Sequence, residues 1–124
     1  LITAKTSSLL GPSAALLLNA TKHLAGIDHG IKLIPQEMIE PIQKTKVSLL
    51  HGNNPRLHTD EVLVALSMLS LNDDNCRRAL ECLPQLKGCQ VHSTVMLSEI
   101  DHKIFKKLGI GLTCDPIRKK VSKG

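Results

Sequence analysis

The sequence predicts an α/β domain richer in helix than in sheet, and three observations carry that prediction. Before residue 84 the apolar residues recur mostly at helical spacing, in segments separated by glycine, proline and asparagine. From Cys89 the period changes to two, so that Cys89, Val91, Ser93, Val95 and Leu97 face one way and Gln90, His92, Thr94 and Met96 the other. An amphipathic stretch and a second short apolar run follow, which is the order of a βαβ crossover with parallel strands and a right-handed connection.

Each element can be argued in turn. Gly11-Pro12-Ser13 opens a helix, because proline tolerates the first helical position, and the run through Ala25 is apolar almost all round, so this helix should be central. Gly26 followed by Ile27 fits a left-handed stop. Ile31 to Ile34 is a short candidate strand; Pro35 and Pro41 then bracket one helical turn and open a second helix with Met38, Ile42 and Leu49 on one side, ending near Gly52. Asn53-Asn54-Pro55 is turn chemistry, and Thr59 is placed to cap a helix with Asp60 and Glu61 in its first turn. In that helix Val62, Ala65, Leu66 and Leu69 form one stripe and Leu63, Met68 and Leu71 another, which predicts cover on two sides. Asp73 caps the next helix, where Cys76, Ala79, Leu80 and Leu83 point inward and Pro84 closes. After the strand from Cys89, Ser98 caps a helix with Asp101 three residues on, buried through Ile100, Ile104, Phe105 and Leu108, and Gly109-Ile110 repeats the stop before a strand with Leu112 and Cys114.

At 124 residues and 42% apolar content one core is expected, with residues 1–116 as a single α/β unit and 117–124 as a basic, flexible tail. The formal charge of +5 resides mostly in that tail: residues 1–117 carry 12 basic and 11 acidic groups. No basic face is left to follow a phosphate backbone, and Phe105 is the one aromatic residue, so nucleic acid is not an expected partner. The apolar stretch Ala14 to Leu18 falls far short of the about 20 residues of a membrane-spanning helix. Four widely spaced cysteines and no secretion signal predict reduced thiols in a cytoplasmic protein, and a first residue other than Met suggests a piece cut from a longer chain.

Several phrases carry a family resemblance: Leu9-Leu10-Gly11-Pro12-Ser13-Ala14-Ala15, Ile39-Glu40-Pro41-Ile42-Gln43, Asn54-Pro55-Arg56-Leu57-His58-Thr59-Asp60-Glu61, His92-Ser93-Thr94-Val95 and Phe105-Lys106-Lys107-Leu108-Gly109-Ile110. From about Leu9 to Pro116 the chain resembles the C-terminal part of bacterial Uncharacterised Protein Family 0371, also called Domain of Unknown Function 1846. The resemblance implies a cytoplasmic parent several times longer and a three-layer α/β/α subdomain with a small mixed sheet and cytidine-deaminase-like topology. It also implies an upstream glycine-rich segment, similar to a phosphate-binding loop, that has no counterpart in these 124 residues.

The densest polar cluster runs from Asn53 to Glu61. Free N–H groups at a helix start, together with Arg56, Thr59 and Asp60, could hold a phosphate or carboxylate, with His58 as a proton carrier; plain capping accounts for Thr59 and Asp60 but leaves Arg56 and His58 without a role. Gly11 and Ser13 mark a second helix start able to meet an anion, although the opening of a buried helix explains the same residues. His92, beside Thr94 on its strand, suits the polar lining of a shared cleft, or a half-buried hydrogen-bonded histidine. The zinc signature of deaminases, His-x-Glu with a later Pro-Cys-x-x-Cys, is not matched: Glu61 stands three residues after His58 and no cysteines have two-residue spacing, so no metal is expected.

Two functions follow from these residues. In the first, the chain is one wall of a nucleotide- or phosphate-dependent enzyme cleft, with His58 and His92 hydrogen-bonding or moving protons and a phosphorylated small molecule as ligand; no cofactor is identified. In the alternative, it is a non-catalytic module whose broad apolar helices bind the N-terminal remainder of the parent chain or a second copy, as a homo-oligomer.

Overall fold

A computed structural model describes residues 2–4 and 9–114. Its elements run α1 (Pro12–Ala25), α2 (Gln36–Lys44) continued by a π turn (Thr45–Leu49), α3 (Thr59–Leu69), α4 (Asp74–Cys82) continued by a 3-10 turn (Leu83–Leu86), β1 (Gln90–Ser93), α5 (Glu99–Lys107) and β2 (Gly111–Cys114). The basic tail expected at 117–124 lies outside the described residues.

Helix α1 divides the core. Ala14 and Leu18 pack with Leu57, Val62, Leu66, Cys76 and Ala79, whereas Leu17 packs with Leu83, Leu86, Phe105 and Ile110, against which Val91 and Leu112 of the sheet also lie. A helix apolar almost all round is what such a position demands. Gly26 ends α1 at φ 70°, with Ile27 buried behind it, and Gly109 ends α5 at φ 76°, where a Cβ would also collide with the Lys87 side chain. Asp73 and Ser98 cap α4 and α5 as their spacing predicts.

The crossover is present. β1 and β2 pair in parallel, Gln90 opposite Gly111 through Ser93 opposite Cys114, with α5 between them in sequence. Among the described residues the sheet has two strands, one flank packed through Val91 and Leu112 while Gln90, His92 and Thr113 are exposed. The alternation of period two extends beyond the strand itself: the Ser93 hydroxyl accepts from the Val95 N–H and donates to its carbonyl, folding the chain away after four residues.

Four expectations need correction. Ile31 to Ile34 is not a strand: Lys22 Nζ donates to the carbonyls of His29 and Ile31, the Cys76 thiol donates to that of Leu33, and Leu33 and Ile34 plug the core. Pro41 does not open a new helix but sits inside α2, its ring facing outward, so that only the bond its N–H would have made is lost. The helix then widens into the π turn, whose larger circumference rotates Leu49 away from Met38 and Ile42 and leaves it 71% exposed. Finally, α3 is covered along the Val62, Ala65 and Leu66 stripe and, from its second stripe, at Leu63, which packs against the Leu17 and Phe105 side of the core, while Val64, Met68 and Leu71 stay exposed.

Candidate functional site

One isolated pair of backbone bonds joins the two helix starts that sequence alone singles out. The Leu57 N–H donates to the Leu9 carbonyl and the Gly11 N–H to the Leu57 carbonyl, each at 3.0 Å, a parallel bridge between Leu10 and Leu57. It sets the beginning of α1 beside the beginning of α3, and the two differ in chemistry.

The start of α3 is closed by carboxylates. Its N-cap is His58 rather than Thr59, which is the first helical residue and fully buried. Thr59 Oγ1 donates to Asp101 Oδ1 at 2.8 Å and the Thr59 N–H reaches the same oxygen at 3.4 Å, so its hydroxyl is engaged inside the protein. Glu61 Oε1 accepts from the His58 N–H and from Lys46 Nζ, both at 2.8 Å, while Asp60 Oδ1 accepts from the Glu61 N–H at 2.9 Å. Three acids thus face the positive end of α3, the arrangement its dipole favours. Lys46 also donates to the Arg56 carbonyl and ties the π turn to this helix start.

The start of α1 lacks these features. Its first turn contains no acid, Gly11 supplies no capping side chain, and Pro12 has no N–H. The N–H groups of Ser13 and Ala14 have no acceptor within the helix. Ser13 is buried, and its hydroxyl has no hydrogen-bond partner among the described residues, although buried hydroxyls are rarely left so.

Arg56 is exposed just before Leu57, with its guanidinium unpaired among the described residues, and its N–H donates to Asn54 Oδ1. His58 is half-buried, with Nε2 3.3 Å from Asn54 Nδ2, and lines a hollow of about 270 Å³ with Lys46, Asp60, Glu61 and Ile100. The ligand atoms of His58, Asp60 and Glu61 lie within 4.8 Å of one another, a donor set a divalent ion could use, but the Lys46 ammonium already neutralises Glu61. His92 stands apart from this group. It is exposed on β1, its Nδ1 2.8 Å from Thr113 Oγ1 across the sheet, and it lines neither this hollow nor the larger groove between α2 and α3.

Sequence reasoning missed Asp101 and Lys46. Asp101 sits where a capping residue belongs, and its N–H does donate to Ser98 Oγ at 3.2 Å, but nothing local signals a carboxylate reaching a helix 42 residues away. Two shifted groups lie outside the site. Burial lowers the Lys22 ammonium from its ordinary value, partly opposed by Asp28. Burial first, then the charge and hydrogen bond of Asp73, push the Cys76 thiol up to about 11.

Residues 1–122 match the family described as domain of unknown function DUF1846, C-terminal. The chain belongs to this family. DUF1846 relatives include UPF0371 proteins of Corynebacterium aurimucosum, 56% identical over 117 residues, and of Corynebacterium efficiens, 55% over 116. A UPF0371 protein of Streptococcus thermophilus is 47% identical over 116 residues. In each case the match covers 94% of this chain and 23–24% of the relative. This chain therefore spans about a quarter of the length of the curated relatives it matches, and corresponds to the C-terminal part of a longer protein. No helix among the described residues is long and apolar enough to cross a membrane.

Proposed function

We propose that this chain supplies one wall of a cleft for a phosphate or other anionic group in a longer cytoplasmic protein, anchored at the start of α1. The observation that carries the reading is the buried Ser13 hydroxyl, without a partner among the described residues, on a first turn with no acid. An anion there would accept from the hydroxyl and from the Ser13 and Ala14 N–H groups. The adjoining start of α3 already holds Asp60, Glu61 and Asp101, which would repel a second anion. Arg56, beside the bridge, would clamp the anion from the rim, and His58 would handle a proton next to it. Asp60 and Thr59 serve the helix rather than the ligand. His92 enters as an exposed hydrogen-bonding pair with Thr113, on a sheet flank that a longer chain would cover.

Four free cysteines support a reducing, cytoplasmic setting. A three-layer α/β/α arrangement of cytidine-deaminase-like topology would require further strands and a covering layer from the rest of the parent. The short parallel pair is consistent with that, since parallel sheets are usually larger and covered on both faces.

The test is thermal unfolding of the full-length parent protein with inorganic phosphate or ATP. Ligand at 100 times its Kd should add about 2.7 kcal/mol. Ser13→Ala should keep the ligand-free stability and lose most of that gain, and Arg56→Ala should lose part of it. Equal gains in wild type and Ser13→Ala, or no gain with either ligand, would refute the reading.

A further inference from the structure

Between α2 and α3 runs an apolar groove of about 790 Å³, floored by Ala65 and lined by Met38, Pro41, Ile42, Val64 and Met68. Val64 is 62% exposed and Met68 60%, in a helix whose other stripe is fully packed. Apolar side chains gathered along a concave strip mark a surface that is covered in the working protein. Its rim is acidic: Glu37 and Asp60 have no basic partner among the described residues, while Glu61 is paired with Lys46.

We infer that this groove is the docking surface for the preceding part of the same parent polypeptide, which seats an apolar segment carrying a basic side chain at the rim. Two observations select that occupant. The relatives are about four times as long as the matched region, so most of the chain outside this unit is tethered to it and acts at high effective concentration. A second copy is the poorer fit, because a two-fold contact places the same patch on both sides and would bring two acidic rims together with no basic residue in the groove lining to pair them. The inference is independent of the anion site at α1.

Met68 reports on the groove without mutation. In full-length wild-type protein treated with dilute hydrogen peroxide, site-resolved mass spectrometry should find sulfoxide forming at Met68 at least about tenfold more slowly than in the same protein unfolded in urea. That protection should be unchanged on dilution. Val64→Glu, at a position this unit leaves exposed, should restore Met68 oxidation several-fold while helix content is retained. Oxidation of native Met68 at the unfolded rate would overturn the inference, as would protection that fades on dilution, the mark of a second copy, or protection that survives Val64→Glu. Should Val64→Glu fail to fold, Val64→Lys provides the same readout.

Discussion

The beginnings of α1 and α3 lie side by side, share one backbone bridge, and were solved in opposite ways. At α3 the positive helix end is met by Asp60, Glu61 and Asp101, and a fully buried threonine is satisfied by a carboxylate from a distant helix. At α1 there is a glycine, a proline and a buried serine whose hydroxyl has no partner among the described residues. Because the two ends sit in one neighbourhood, the difference reflects the residues supplied to each. A helix start closed by its own protein is structure, and one left open in a buried place is available to something else.

The comparison can be broken most severely at Asp101. Asp101→Ala leaves the Thr59 hydroxyl and N–H without their acceptor and should cost about 3 kcal/mol by chemical denaturation, whereas Asp101→Asn keeps an acceptor and should cost clearly less. Equal losses would show that the carboxylate charge matters there and that a neutral acceptor of the same shape does not replace it.

Helix α4 sharpens the contrast as a third start, closed by Asp73, whose carboxylate accepts from the Asn75 and Cys76 N–H groups. Burial, joined by the charge and hydrogen bond of Asp73, pushes the Cys76 thiol from its ordinary value of 9.0 up to about 11 in the fold. Between those values the unfolded state has lost its proton and the folded state has not, so stability falls as pH rises across the window. The loss relative to Cys76→Ala should approach roughly 2 to 3 kcal/mol by pH 11, and a flat difference between the two proteins over pH 9 to 11 would contradict a thiol raised by burial first and by Asp73 second.

Smaller effects come from the rim and from α1 itself. Glu61→Ala gives up the Lys46 pair and the His58 N–H bond, both partly exposed, and should cost about 1 kcal/mol by the same denaturation assay. Ser13→Ala removes a hydroxyl that bonds to nothing among the described residues and should change stability by less than about 1 kcal/mol, in the stabilising direction. A large loss on Ser13→Ala would mean that the serine is structural after all.

Local chemistry was legible in the sequence wherever a signal and its effect fall within one turn. The stops at Gly26 and Gly109 and the caps at Asp73 and Ser98 are of this kind, and the crossover from Cys89 to Cys114 was legible because strand, helix and strand follow one another directly in sequence. Elements decided at a distance were not. The extended look of Ile31 to Ile34 yields to Lys22 and Cys76, which take its carbonyls, and the face of Leu49 depends on a π turn that no residue pattern announces. The candidate site divides the same way. Sequence drew attention to both helix starts, but the bridge through Leu57 and the reach of Asp101 to Thr59, which separate them into open and closed, are long-range contacts.

Amide hydrogen exchange in the full-length protein, with and without saturating inorganic phosphate, tests the asymmetry most directly. Slowed exchange at Ser13 and Ala14, with Asp60 and Glu61 unchanged, is the predicted result. Protection confined to the beginning of α3, or none at either helix, would contradict it.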